Sequence, residues 1–93
     1  MQGEIVPPRN ATTPIPQIVT SFASVMRRAR HDAGLTQAKL AAGAGISLRY
    51  VTLLEKGEYQ ASITVLQNVA SALGRPLWEM IREAEAGLGQ GSE

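Results

Sequence analysis

Between residues 18 and 86 apolar side chains return every three or four positions and nowhere alternate for long. That period belongs to a helix with one buried face, whereas a half-buried strand repeats every two residues. Ile18, Phe22, Val25, Ala29 and Ala33 make the first stripe, with Thr20 or Ser21 able to cap its start and Gly34 placed to end it. Thr36 caps a second, short helix to about Ala42, with Leu40 and Ala41 inward. Lys39 stands where a capping-box glutamate would, so only half of that motif is present. Gly43-Ala44-Gly45 reads as a tight connection, after which Ser47 caps a third helix that runs to about Lys56, buries Val51 and Leu54, and stops at Gly57. A loop from Glu58 to Ala61 leads to Ser62, the cap of a fourth helix with Val65, Leu66, Val69, Ala70 and Leu73 inward and Gly74 at its end. Pro76 suits the first turn of a fifth helix ending near Ala86. Five short helices and no strand predict a compact all-α domain over residues 18–86.

Pro7, Pro8, Pro14 and Pro16 make residues 1–17 an irregular arm, because proline lacks the donor that helices and strands need. Residues 87–93, Gly-Leu-Gly-Gln-Gly-Ser-Glu, read as a flexible tail. With 93 residues there is room for one core, and with 4 % aromatic content that core is aliphatic. The chain has no cysteine, which excludes disulfides, thiolate metal sites and a cysteine nucleophile. His31 cannot form an all-protein zinc site alone. The acids are dispersed, no serine, histidine and acid constellation can be argued, and no Gly-Lys-Ser/Thr follows Gly43-Ala44-Gly45. No enzymatic activity, metal or cofactor is expected. No apolar run approaches the ~18 residues of a membrane span, and the first residues lack the pattern of a secretory signal, so the expectation is a cytoplasmic protein that does not engage membranes.

The formal net charge of +1 hides an uneven distribution. Residues 21–75 hold seven cations against three carboxylates, a net +4, while residues 76–93 hold one arginine against four glutamates, a net −3. Such a chain can meet a polyanion with one face, or it can simply carry ordinary surface charge.

Two helices joined by a short glycine-containing turn describe a helix-turn-helix. Ala41 is small where the two helices cross, Gly45 sits in the turn four residues on, and Val51 and Leu54 face back toward the first helix of the pair. With its flanking residues the chain resembles the lambda-repressor-like, Xre-type helix-turn-helix family of DNA-binding regulators. The matching text is Arg27-Arg28-Ala29-Arg30, Gly34-Leu35-Thr36-Gln37, Leu40-Ala41, Gly45-Ile46-Ser47, Tyr50-Val51, Leu54-Glu55-Lys56-Gly57 and Ala70-Ser71-Ala72-Leu73-Gly74, within roughly residues 20–82. The resemblance implies a five-helix domain that binds operator DNA as a symmetric dimer, with the third helix in the major groove.

A helix fits the major groove, where base edges distinguish all four pairs. The residues in reach start the second helix of the motif: Ser47, Leu48, Arg49 and Tyr50, then Thr52 and Leu53. Arg49 is suited to guanine O6 and N7, its other reading being a phosphate clamp. Leu48 and Leu53 can touch a thymine methyl, or Leu53 can pack in the core. Tyr50 can give its hydroxyl to phosphate or pack against helix four. Ser47 can serve as cap and phosphate donor together, Thr36 is first a cap, and Lys56 and Arg75 either add phosphate charge at the edges or are simply solvated. The resemblance further implies that Gln37 braces phosphate while touching the recognition helix, and that Arg30 pairs internally with Glu55.

Two functions compete. One is a sequence-specific regulator of transcription bound to a palindromic operator in the nucleoid, a small repressor or restriction–modification controller. The alternative is an antitoxin that holds a toxin as protein partner, by way of the arm, and still binds its own operator; a third reading is a helical module without DNA binding. Trp78, with Leu77 and Ile81 and with Ala84 or Leu88 as possible additions, is expected at the surface of a homodimer; its other reading is packing onto the first helix or under the arm.

Overall fold

The computed structural model describes residues 16–90, with side chains through residue 88. It contains α1 (Gln17–Asp32), α2 (Gln37–Ala44), α3 (Leu48–Glu55), α4 (Ile63–Ala72) and α5 (Leu77–Gln90), and no strand among the described residues. The arm falls outside this range except for Pro16 and Gln17.

The three interior caps form as their hydroxyls dictate. Thr36, Ser47 and Ser62 sit in extended backbone and accept from the amides of Lys39, Tyr50 and Val65. The start of α1 differs from the sequence expectation. Pro16 occupies its N-cap with no side-chain cap, Thr20 donates to the Gln17 carbonyl, and Ser21 donates to the Ala84 carbonyl at 2.7 Å. Neither Thr20 nor Ser21 caps the helix; both lie inside it.

Gly43 and Ala44 also belong to a helix, the last turn of α2, so the connection begins only at Gly45 with its φ of 73°. A Cβ on Gly43 would lie 3.2 Å from Ala72 Cβ, so this glycine lets α2 lie close against α4. Gly57 meets two demands at once: its φ is 72°, and a Cβ there would come within 3.0 Å of Thr20 Cγ2 and 3.2 Å of Thr20 Cα.

The core is one aliphatic cluster with a single phenylalanine. Phe22, Val25, Met26 and Ala29 of α1 meet Leu40, Ala41 and Ala44 of α2, Val51 and Leu54 of α3, Val69, Ala70 and Leu73 at α4, and Met80 and Ala84 of α5. α5 runs along α1 and continues to Gln90, past the end expected near Ala86. Gly87 does not break it. A Cβ there would lie 3.0 Å from Ser21 Oγ, so the missing side chain admits close approach to α1.

Candidate nucleic-acid interface

α3 buries Val51, Leu54 and Glu55. At 100° per residue, Arg49, Leu53 and Lys56 occupy the opposite side. Arg49 and Lys56 are exposed and Leu53 is half-buried, so the outward face of α3 carries two cations around one leucine. Ser47 and Leu48 are exposed at its start, and Thr52 is half-buried on its flank. Tyr50 is half-buried against the core and meets Tyr59 edge to face, with ring centroids 5.2 Å apart and planes at 79°.

From Ala33 to Gly57 the sequence has one carboxylate, Glu55, and it is buried, 3 % exposed. A charge removed from water persists only when paired and hydrogen-bonded. Arg30 Nε donates to Glu55 Oε2 at 2.7 Å, and Arg30 Nη2 donates to Oε1 at 3.0 Å. Gln37 Nε2 donates to the same Oε1 at 2.9 Å. Arg30 Nη1 also donates to the Leu35 carbonyl, and Arg27 donates to the Glu55 carbonyl. Gln37 Oε1 in turn accepts from the Thr52 hydroxyl at 3.2 Å. One network therefore joins α1, the start of α2 and the end of α3. Hydrogen bonding to Glu55 holds the Arg30 guanidinium above its already high range, against the opposing pull of burial.

The consequence for the surface is electrostatic. With Glu55 turned inward, the stretch from Ala33 to Gly57 presents Lys39, Arg49 and Lys56 to solvent and no carboxylate. The N-termini of α2 and α3, with first-turn amides that lack helical partners, belong to this same stretch. Such a surface suits an anionic backbone.

Arg75 lies outside this stretch, and its charge is shared with α5: its Nε donates to Glu79 at 2.8 Å and its Nη2 to Glu83 at 2.5 Å. Trp78 is 64 % exposed, while Leu77 and Ile81 are half-buried against the core. Ala84 is fully buried and cannot reach a partner. His31 is exposed, and among the described residues no group of three or more His, Cys, Asp or Glu could hold a metal ion. No described helix is long and apolar enough to cross a membrane.

Two residues here carry no role in the sequence pattern. Arg27, there only part of the stretch that resembles the family, ties α1 to the end of α3. Tyr59 lies in the loop after α3, two residues past the Gly57 stop, where no motif marks it.

A helix-turn-helix family model matches residues 26–77, from the middle of α1 to the first residue of α5. An uncharacterized HTH-type transcriptional regulator of Methanothermobacter thermautotrophicus is 38 % identical over 52 residues, which are 56 % of this chain and 75 % of that protein. The clp gene regulator ClgR from Corynebacterium glutamicum has a similar structure, with a TM-score of 0.77 and 28 % identity over 83 % of this chain and 82 % of its own. The restriction-modification controller protein C.AhdI from Aeromonas hydrophila aligns with a TM-score of 0.65 and 29 % identity, over 67 % of this chain and 94 % of its own. Five helices in this order, the capped pair α2–α3 and a family match that spans it lead to one conclusion: the chain belongs to the helix-turn-helix family of the Xre, lambda-repressor-like kind.

Proposed function

We propose that this protein is a sequence-specific regulator of transcription that binds double-stranded DNA as a homodimer, with α3 in the major groove. The observation that carries the reading is the carboxylate-free outward face of residues 33–57, made possible by burying Glu55 against Arg30. Arg49 at the centre of that face reads guanine, Lys56 and Ser47 meet phosphate, and Gln37 adds a donor from the start of α2. Thr36 supports this as the cap of α2, and Thr52 by holding Gln37. Similarity to ClgR and to C.AhdI favours a small repressor or controller acting on DNA in the cytoplasm. The antitoxin reading rests on the arm, of which only Pro16 and Gln17 lie within the described residues.

Selection of bound duplexes from a random pool tests the proposal. The expected result is a palindromic consensus whose binding weakens steeply with salt; recovery of no consensus overturns it. The dimer is argued from Trp78, a large apolar side chain left in water beside Leu77 and Ile81. A two-fold dimer on a palindrome needs its two copies of α3 about one DNA turn, roughly 34 Å, apart. Trp78→Ala is expected to sediment as a monomer, to keep its helical signal and to bind the selected site far more weakly. A variant that stays dimeric removes Trp78 from the interface.

A further inference from the structure

Between the first turn of α3 and the loop that follows it lies a shallow hollow lined by Ser47, Arg49, Tyr50, Leu53 and Tyr59. Its volume is about 230 Å³. Arg49 and Leu53 of the outward face of α3 are among its lining residues, so the hollow adjoins the side chain assigned to base reading. Its lining is mostly apolar, with Tyr50, Leu53 and Tyr59 beside Ser47 and Arg49. Tyr59 is 49 % exposed, and its ring stands edge to face against that of Tyr50. An exposed apolar hollow with a positioned aromatic wall gains most from covering a small apolar group.

The major groove offers one apolar group among its donors and acceptors, the C5 methyl of thymine. We propose that Tyr59 is a specificity-determining residue of this protein, and that with Tyr50 and Leu53 it forms a seat for a thymine methyl next to the base pair read by Arg49. This rests on the DNA-binding reading and deepens it. The seat uses a residue outside the helix pair, and it gives Leu53 a task on a face otherwise occupied by cations. Leu48 has no part in it: it does not line the hollow.

The probe is the selected duplex with each thymine replaced in turn by deoxyuridine, which removes the methyl and leaves the pairing edge intact. At one thymine per half-site the replacement is expected to weaken binding about fourfold, ~0.8 kcal/mol, the worth of one buried methyl-sized group. In Leu53→Ala and in Tyr59→Ala that thymine-to-uracil ratio falls to about one, while Tyr59→Phe retains it, since the ring and not the hydroxyl forms the wall. If every thymine tolerates replacement in the unaltered protein, the seat is overturned although operator binding stands. If Tyr59→Phe weakens thymine and uracil duplexes alike, Tyr59 is a phosphate donor and the assignment fails. A protein with no salt-sensitive duplex binding overturns the seat together with the reading beneath it. Helical signal and melting temperature close to those of the unaltered protein accompany the expected result for all three variants.

Discussion

Arg30 with Glu55 and Arg75 with Glu79 and Glu83 are assembled from the same groups at similar distances, 2.7 Å in one place and 2.8 and 2.5 Å in the other. They differ in their surroundings. The Arg30 and Glu55 side chains are 11 % and 3 % exposed, and the pair joins two helices through residues 25 positions apart in sequence. Glu79 and Glu83 are 43 % and 45 % exposed, and both lie on the helix that begins just after Arg75. In the first pair water has been excluded and every oxygen of Glu55 has a protein donor; in the second, water competes for each contact. Identical chemistry therefore fixes the architecture in one region and decorates the surface in the other.

The sharpest way to break this contrast is to remove Glu55. Glu55→Ala leaves Arg30 buried without its partner and is expected to cost about 3–5 kcal/mol, a large share of the roughly 5–15 kcal/mol typical of a folded domain. Arg30→Ala should cost a similar amount, and replacing both by apolar residues much less, because no orphaned charge remains. Denaturant melts of the singles and the double check this; singles below ~1 kcal/mol would place the pair in the surface class. Folding raises the Arg30 pKa, so its contribution is fully present below the unfolded-state value and is lost only as pH rises through the folded one. Near neutral pH the arginine therefore adds no pH dependence to stability.

Next in size is a change on the face that the buried pair supports. Arg49→Ala is expected to cost ~1–3 kcal/mol of binding to the best site and to relax preference at one base pair per half-site. Uniform weakening across all duplexes would make Arg49 a phosphate contact. The smallest effect belongs to the exposed cluster. Arg75→Ala should change stability by about 0–1 kcal/mol, and the difference should shrink in molar salt, where the screening length falls to ~3 Å. A loss that survives such salt would move this cluster toward the buried kind.

Much of this was legible because it is local. A hydroxyl before an apolar stripe and a glycine after it define a helix within a few residues, and Thr36, Ser47, Ser62, Gly45 and Gly57 behave accordingly. What escaped depends on neighbours distant in sequence. Ser21 looks like a cap but finds Ala84, 63 residues away. Gly87 looks like a helix stop but is a place where α5 needs no side chain. Arg75 looks like a free cation until α5 brings two glutamates to it. Tyr59 carries no motif at all, and only the fold brings its ring against that of Tyr50. The resemblance to a known family supplied Arg30 with Glu55, a pairing that no single-sequence spacing rule provides.

Gln37 shows what a buried network leaves behind at the surface. A carboxamide has two N–H bonds and one oxygen. Glu55 takes one N–H at 2.9 Å, and the oxygen shares the Thr52 hydroxyl proton with the Leu48 carbonyl, so the group is held from the Glu55 side. Its second N–H consequently has a set direction before anything arrives to accept it. A free glutamine gives up roughly 1.5–2 kcal/mol of rotamer freedom when it is immobilised; here folding has already exacted most of that entropy. An acceptor that docks along the fixed direction meets a donor already in position, and one that comes from elsewhere must first dismantle part of the joint between the helices.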